Sequence, residues 1–194
     1  SVTKKHSHKY LVDVRPVGYK QVKCITVENP SGLFLVDNFT TTHNSRGGGK
    51  SYAMLVDPLR FVENQNHRAL ILRRTMPELR QLILESQKLY KRAYPGAKWK
   101  EQDKLWKFPS GAQIEFGYAD TYQDVLRYQG QSYTWIGVDE LPQFPDESIW
   151  QFLRSCLRST DPNIPVYLRA TGNPGSIGSM WVKEKFIDPA PPNT

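Results

Sequence analysis

Cysteine is scarce in this sequence: Cys24 and Cys156 are the only two among 194 residues. Two thiols do not make a disulfide framework, so we expect the chain to fold in a reducing compartment. Long hydrophobic runs are also missing, and the polar first residues do not follow the pattern of a signal peptide. We therefore expect neither a disulfide-stapled secreted domain nor a membrane partner. The length allows one good hydrophobic core plus a small appendage.

The sequence also lacks an excess of acidic residues, and its formal net charge is +7 at pH 7. Residues 1–44 contribute +3, from six Lys and Arg against three Asp and Glu, and the remainder contributes +4, from 20 against 16. A positive chain suits a polyanion partner. Because no single basic run dominates, charge alone does not identify nucleic acid as that partner.

Two patterns of secondary structure divide the sequence. The first 44 residues show no helical period, and their β-branched and aromatic stretches predict strands at 10–14, 21–27, 33–36 and 39–42. From residue 50 onward, predicted strands at 68–72, 105–108, 113–116, 133–138 and 166–170 alternate with predicted helices at 50–64, after 75, at 147–157 and at 180–187. This alternation indicates an α/β fold with a parallel sheet.

Local signals refine two of these helices. Pro58 predicts an irregularity in the first one, because proline has no N–H for a helical hydrogen bond. Thr75, Pro77 and Glu78 form the sequence signature of a capping box at the start of the second. The proline-rich residues 188–194 are predicted to form a linker.

A glycine-rich stretch at the start of the first helix is the first candidate site. It consists of Gly47, Gly48, Gly49, Lys50 and Ser51. Glycines let the backbone curl so that its N–H groups face phosphate oxygens, and such a loop binds ATP with the lysine on the phosphates and the serine on Mg²⁺. The pattern also needs a glycine five positions before Gly49, where this sequence has Asn44.

Polar residues at the ends of two predicted strands complete this site. Asp139 and Glu140 follow an apolar strand, at the edge where parallel sheets bind their ligands. Asp139 would hold Mg²⁺ through water, and Glu140 would polarise the attacking water. Thr171 and Asn173 follow the next strand and are candidates for sensing the γ-phosphate, although each also suits a simple strand-to-loop turn.

Several motifs, taken in order, resemble the ATPase domain of the large terminase subunit of tailed phages. They are the stretches 45–51, 72–75, 127–131, 136–141, 152–158, 171–175 and 181–187. The resemblance covers essentially all of residues 45–194 and implies a P-loop NTPase (RecA-like) fold. It also implies ATP and Mg²⁺ as cofactors and a motor that moves double-stranded DNA into a procapsid.

The same resemblance implies a homo-oligomer on a portal, a small terminase subunit as partner, and the cytoplasm of an infected bacterium as location. Arg46 matches an arginine that such loops use to stabilise transition-state charge, while Arg73 or Arg74 is an alternative that would act on a neighbouring subunit. An intein-bearing helicase or recombinase is the rival motor. The strand that precedes the loop in this fold is expected to come from another segment.

The residues before the loop suggest a second chemistry, which is self-excision. Asn44 can attack its own carbonyl carbon and cut the chain, His43 can protonate the leaving group, and Ser45 can accept the upstream chain as an ester. If residues 1–44 were excised and an upstream glycine were joined to Ser45, that glycine would occupy the position of the loop that Asn44 fills now.

Residues 1–44 resemble the C-terminal part of an intein of the Hint fold, which implies an N-terminal intein half as partner. Cys24, together with Thr42 beside His43, resembles a minority class in which this cysteine is the first nucleophile, but a small buried thiol on a strand is the alternative. The expected organisation is an all-β intein segment at 1–44, an ATPase domain at 45–187 and a linker at 188–194. The rival function is an autoprocessing module attached to an inert ATPase fragment.

Overall fold

The computed structural model describes residues 33–36, 40–43 and 49–188, and for the first two of these ranges only the backbone. The chain divides into two compact units, Ser1–Asn44 and Ser45–Thr194. Each unit is described by itself.

The described part of the first unit is a β-hairpin. Strand β1 (Leu33–Val36) pairs antiparallel with β2 (Thr40–His43), so that Leu33 lies opposite His43 and Val36 opposite Thr40. The strands predicted at 33–36 and 39–42 are confirmed, the second shifted by one residue. The strands predicted at 10–14 and 21–27 lie outside the described residues.

The second unit is built on a six-stranded mixed sheet with the order β4-β5-β6-β3-β7-β8. The strands are β3 (Arg68–Arg73), β4 (Lys98–Lys100), β5 (Leu105–Lys107), β6 (Gln113–Tyr118), β7 (Trp135–Val138) and β8 (Tyr167–Ala170). Strands β6, β3, β7 and β8 are parallel, and β4 and β5 add an antiparallel extension. The parallel sheet with crossover connections is thus confirmed, while β4 is a strand that the sequence pattern did not indicate.

The described residues of this unit contain five helices: α1 (Lys50–Val56), α2 (Met76–Ala93), α3 (Tyr122–Val125), α4 (Ser148–Ser155) and α5 (Ser179–Phe186). Short 3₁₀ turns follow α1 (Asp57–Phe61), α3 (Leu126–Tyr128) and β7 (Leu141–Gln143). The first turn contains Pro58, which confirms the predicted irregularity. Within the described ranges, no helix has the length and apolarity needed to cross a membrane.

The capping box predicted at Thr75 is wrong. Thr75 is the N-cap of α2, but its hydroxyl donates to the Glu78 carboxylate at 2.9 Å instead of accepting from the backbone. Glu78 also faces Arg73 and Gln143, which draw its carboxylate away from the helix end. A capping box does form at α3, between Thr121 and Asp124.

Two hydrophobic layers cover the two faces of the sheet. On one face, α1 and α2 pack against alternate strand residues, with Trp106 and Tyr90 in edge-to-face contact at 5.5 Å between ring centroids. On the other face, α3 and α4 cover the part of the sheet that contains Leu70 and Val138.

His67 is a buried base that makes folding sensitive to acid. Its Nδ1 lies 2.8 Å from Thr134 Oγ1, its Nε2 has no hydrogen-bond partner in the described structure, and burial lowers its pKa to about 4. Because the folded state favours the neutral ring, its contribution is complete above the ordinary pKa of about 6.5 and is lost as the pH falls towards 4.

We therefore expect the free energy of unfolding to fall by on the order of 3 kcal/mol between pH 6.5 and 4, measured by urea unfolding at a series of pH values. His67→Gln should lose this slope. Glu115, whose pKa is raised by burial, contributes with the opposite sign, so the informative quantity is the difference between the two proteins. Equal slopes for both would contradict the role given to His67.

Candidate functional site

Seven polar side chains meet at the carboxyl edge of strands β3, β7 and β8, beside the start of α1. We call this group the carboxyl-edge site. Its members are Lys50, Ser51, Arg73, Asp139, Glu140, Thr171 and Asn173. They come from four separate segments because the carboxyl ends of parallel strands meet at one edge of the sheet.

Helix α1 brings two of these side chains to the edge. Gly49 is its N-cap with φ of 79°, a left-handed conformation that glycine adopts without a steric cost. The Gly49 carbonyl accepts the first helical hydrogen bond, from Ala53 N at 2.8 Å. Lys50 Nζ donates to Asn173 Oδ1 at 2.9 Å, and Ser51 Oγ donates to Asp139 Oδ2 at 3.2 Å.

Asp139 is the buried centre of the site. It follows β7, its side chain has no exposure to solvent, and both of its oxygens accept hydrogen bonds. Arg73 donates to Oδ2 from Nε at 2.8 Å and from Nη2 at 2.5 Å, while the Thr171 hydroxyl donates to Oδ1. A buried carboxylate with a cation and two hydroxyls around it is fixed in direction.

Glu140 is held in an unusual backbone conformation. Its φ is 58°, which is rare for a residue with a side chain and costs on the order of 1–3 kcal/mol. Its N–H donates to Thr171 Oγ1 at 3.3 Å, and Asn173 Nδ2 donates to its carboxylate at 3.1 Å. The strained turn aims the Glu140 carboxylate at the segment that follows β8 instead of continuing the line of β7.

Six of the residues singled out from the sequence therefore lie together: Lys50, Ser51, Asp139, Glu140, Thr171 and Asn173. Gly49 is adjacent as the helix cap. Cys24, Asn44, Ser45, Arg46, Gly47 and Gly48 lie outside the described residues. Thr42 and His43 belong to β2 of the first unit, where only the backbone is described.

Arg73 is the member of the site whose role the sequence did not reveal. The alternative considered for it was contact with a neighbouring subunit, but its guanidinium is bound to Asp139 of the same chain and is only 13% exposed. Arg74 binds Asp120 at 2.7 Å and the Gln143 carbonyl at 2.8 Å, also within the chain. Arg73 lies beside Asp139 because β3 pairs with β7, and no local sequence pattern predicts that pairing.

The Arg73–Asp139 pair has a testable energetic consequence. Arg73→Met leaves the Asp139 carboxylate buried without its cation, so we expect a loss of about 3–5 kcal/mol in unfolding free energy, measured with urea. Arg74→Met is the control, because the partly exposed Arg74–Asp120 pair contributes only about 0–1 kcal/mol. The double variant Arg73→Met/Asp139→Asn should recover part of the loss. Equal effects of the two single arginine variants would contradict this account.

The oxygen donors of the site fit a hard divalent cation. Among the described residues, no group of three or more His, Cys, Asp or Glu side chains is close enough to form a complete protein metal site. Asp139 and Ser51 nevertheless offer a carboxylate and a hydroxyl within 3.2 Å of each other. Mg²⁺ is commonly held in this way, by one or two protein oxygens together with substrate phosphates and water.

The fold and the site define an α/β protein whose polar site lies at the carboxyl edge of a mostly parallel sheet. A family model described as "Terminase large subunit, T4likevirus-type, N-terminal" matches residues 43–175. The chain belongs to this terminase large subunit family. No curated protein sequence matches the chain.

Two solved structures share the fold. The large terminase of bacteriophage HK97 superimposes with a TM-score of 0.53 and 14% identity, over 72% of this chain and 31% of that one. The N-terminal domain of the DNA packaging ATPase of bacteriophage phi29 gives a TM-score of 0.51 and 16% identity, over 72% of this chain and 76% of that one. The chain thus spans less than a third of the HK97 protein, and at these identities the likeness concerns the fold.

Proposed function

We propose that residues 45–187 are the ATP-hydrolysing part of a phage DNA-packaging motor, and that residues 1–44 are an intein segment that excises itself and completes the ATP-binding loop. The ATPase proposal rests above all on one contact. Asn173 binds Lys50 through its oxygen and Glu140 through its nitrogen. The Asn173 amide therefore holds both Lys50, the cation proposed for the phosphates, and Glu140, the carboxylate proposed for the attacking water.

Each residue of the site then has a defined task. Lys50 would contact the β- and γ-phosphates, and Ser51 and Asp139 would hold Mg²⁺, which would neutralise phosphate charge. Glu140 accepts hydrogen bonding from the attacking water and orients it. Asn173 connects the positions of Lys50 and Glu140, so a shift of Lys50 towards phosphate would release the amide that holds the Glu140 carboxylate. Thr171 keeps Asp139 fixed in direction.

Membership of the terminase family and the shared fold favour a packaging motor over the rival helicase or recombinase. The partners that follow from this proposal are double-stranded DNA, further copies of the same chain on a portal, and a small terminase subunit. The place of action is the cytoplasm of an infected bacterium. A strand-separation assay distinguishes the two motors, because a helicase unwinds a duplex and a packaging motor translocates it intact.

The edge of the sheet at β8 supports the idea that the ATPase unit is completed by another segment. In the described structure β8 pairs with β7 on one side only, and Arg169 and Ala170 are exposed. Parallel strands are normally covered on both faces and flanked by neighbours. An added strand leading into the loop before Lys50 would pair with this free edge.

Two observations support the splicing proposal. The boundary between the two compact units falls between Asn44 and Ser45, and the terminase match begins only at residue 43. Residues 1–42 lie outside the match, and the three residues with the proposed splicing chemistry, His43, Asn44 and Ser45, stand at its start. The second candidate, an autoprocessing module with an inert ATPase fragment, remains the alternative if the joined protein does not hydrolyse ATP.

Nucleotide binding by the joined protein tests the ATPase proposal. A fluorescent ATP analogue should bind in the presence of Mg²⁺, and Lys50→Ala should weaken binding by about tenfold or more because it removes a charge-assisted hydrogen bond of about 1.5–3 kcal/mol. Lys183→Ala, on exposed helix α5, is the control and should bind as the unchanged protein does. Equal binding by all three proteins would exclude Lys50 from the phosphate site.

A further inference from the structure

Four basic residues share one face of the sheet, in the region where β4 and β5 extend it. Lys98 lies opposite Lys107, Lys107 opposite Gln113, and Gln113 opposite Arg68, so one row crosses four neighbouring strands. Lys100 is two residues beyond Lys98 and therefore points to the same side. We call Arg68, Lys98, Lys100 and Lys107 the basic sheet face.

The opposite side of the same strands is the hydrophobic one. Trp99 and Trp106 alternate with the lysines and pack into the layer beneath α2. On the basic side, α3 and α4 cover β3 and β7, but all four basic residues are exposed. The extension is thus a sheet with one buried aromatic face and one open, positively charged face.

The arrangement of charge on this face opposes folding. Lys98 and Lys107 are directly opposite each other, and like charges in this position destabilise a strand pair by a few tenths of a kcal/mol to about 1 kcal/mol. In the described part of the chain, no carboxylate forms an ion pair with any of the four cations. The repulsion is therefore not relieved within the described structure.

Three acidic residues lie near the face, but none of them forms an ion pair with its four cations. Glu115 accepts a hydrogen bond from the Tyr133 hydroxyl at 2.7 Å; burial raises the pKa of this carboxyl, and the charge of Arg68 works against that rise. Glu101 accepts a hydrogen bond from Trp99 Nε1 at the tip of the β4–β5 hairpin, and Asp103 lies in the same turn. The row itself keeps its excess positive charge.

Protection of a sheet edge explains only part of this pattern. Lysines on an edge strand prevent pairing with other chains, and β4 is an edge strand, so Lys98 and Lys100 fit that purpose. Lys107 and Arg68 lie on β5 and β3, which have neighbours on both sides. An anionic partner explains all four.

We infer that the basic sheet face binds the phosphate backbone of double-stranded DNA without reading its sequence. Neighbouring strands lie about 4.8 Å apart, so Lys98 and Arg68 span roughly 14 Å, a width that suits the closely spaced phosphates of a duplex. Among the described residues, strands β3 to β6 carry no exposed aromatic ring, and single-strand binding usually needs such rings for base stacking. This inference rests on the proposed packaging function and adds to it the surface that contacts DNA.

The test is the salt dependence of duplex binding by the full 194-residue chain. A fluorescent duplex of random sequence is titrated at several salt concentrations, and binding is followed by anisotropy. Lys98→Ala/Lys100→Ala/Lys107→Ala should reduce the slope of log K against log salt by about 0.9 for each phosphate that is no longer neutralised, or roughly 2.7 in total.

The matched control removes the same charge from the opposite side of the sheet. Lys88→Ala/Lys91→Ala/Arg92→Ala changes three exposed residues of α2 and should leave the slope close to that of the unchanged chain. Replacing the three lysines of the basic sheet face by arginine should restore binding. Size-exclusion chromatography shows whether the alanine variant remains monodisperse, which distinguishes weaker DNA binding from a loss of edge protection.

The inference would be overturned by no duplex binding of the unchanged chain, by an unaltered slope for the sheet-face variant, or by equal losses for both triple variants. A preference for single-stranded DNA of the same length would also overturn it. ATP hydrolysis by the joined protein is measured separately without DNA. Absence of hydrolysis would reject the proposed motor while the salt slopes still report on the DNA-binding face, so the two failures can be told apart.

Discussion

Glu140→Gln in the joined protein is expected to lower the rate of ATP hydrolysis by about 10²-fold or more and to leave ATP affinity nearly unchanged. Glutamine has the shape of glutamate and can still accept the hydrogen bond from Asn173 Nδ2. It cannot accept a proton from the attacking water, and positioned bases contribute about 10²–10⁴-fold to such reactions. Turnover is measured by phosphate release, and affinity with the fluorescent ATP analogue.

Asp139→Asn is the informative comparison for this variant. It removes charge from the carboxyl group that Ser51 and Arg73 contact, so it should weaken the dependence of nucleotide binding on Mg²⁺ as well as turnover. The two neighbouring substitutions should thus have different effects, one on the chemical step alone and the other on binding too. Normal turnover by Glu140→Gln would remove Glu140 from the proposed mechanism.

The parts of this structure that could be predicted from sequence are those with strong local patterns. The apolar stretches of β3 and β7 can be stable only between two covered faces, so their strand character and their place in a parallel sheet followed directly. Polar residues placed immediately after such strands reach the carboxyl edge together. This is why Asp139, Glu140, Thr171 and Asn173 were predicted as neighbours before their contacts were known.

The parts that could not be predicted depend on which strands are adjacent. Arg73 ends β3, and only the direct pairing of β3 with β7 turns it into the partner of Asp139. The Lys-Trp-Lys strand β4 is three residues long, too short for its alternation to be distinguished from a loop. At Thr75 the local signature was correct in residue types, but contacts with Arg73 and Gln143 redirected Glu78.

Joining an upstream segment to Ser45 is expected to convert an inactive chain into an ATPase. Asn44 occupies the position where the proposed ATP-binding loop would need glycine, and a residue with a side chain is poorly suited to the backbone curl that points N–H groups at phosphate. In addition, β8 has a neighbour on one side only in the described sheet. The unjoined chain should therefore bind ATP weakly or not at all.

The joined product would contain Gly-Ser-Arg-Gly-Gly-Gly-Lys-Ser, with the missing glycine restored. We expect its turnover to exceed that of the unjoined chain by on the order of 10²–10³-fold, the size of effect seen when charge-stabilising donors are removed from an active site. Double-stranded DNA should stimulate the joined protein further if it is a packaging motor. Phosphate release is compared for the same preparation before and after mixing with a matching N-terminal half.

Asn44→Ala links this gain of activity to the excision chemistry. Without a side-chain amide, residue 44 cannot cyclise onto its carbonyl, so cleavage before Ser45 should stop and no joined product should form, as followed by mass spectrometry. The variant should also remain inactive as an ATPase after mixing, since its loop is never completed. Normal ligation by Asn44→Ala would reject the splicing assignment.

The unjoined chain provides a separate control for the ATPase expectation. Steady turnover by this chain that is abolished by Lys50→Ala would show that the interrupted loop already works, because Lys50 would then be contacting phosphate with Asn44 still in place.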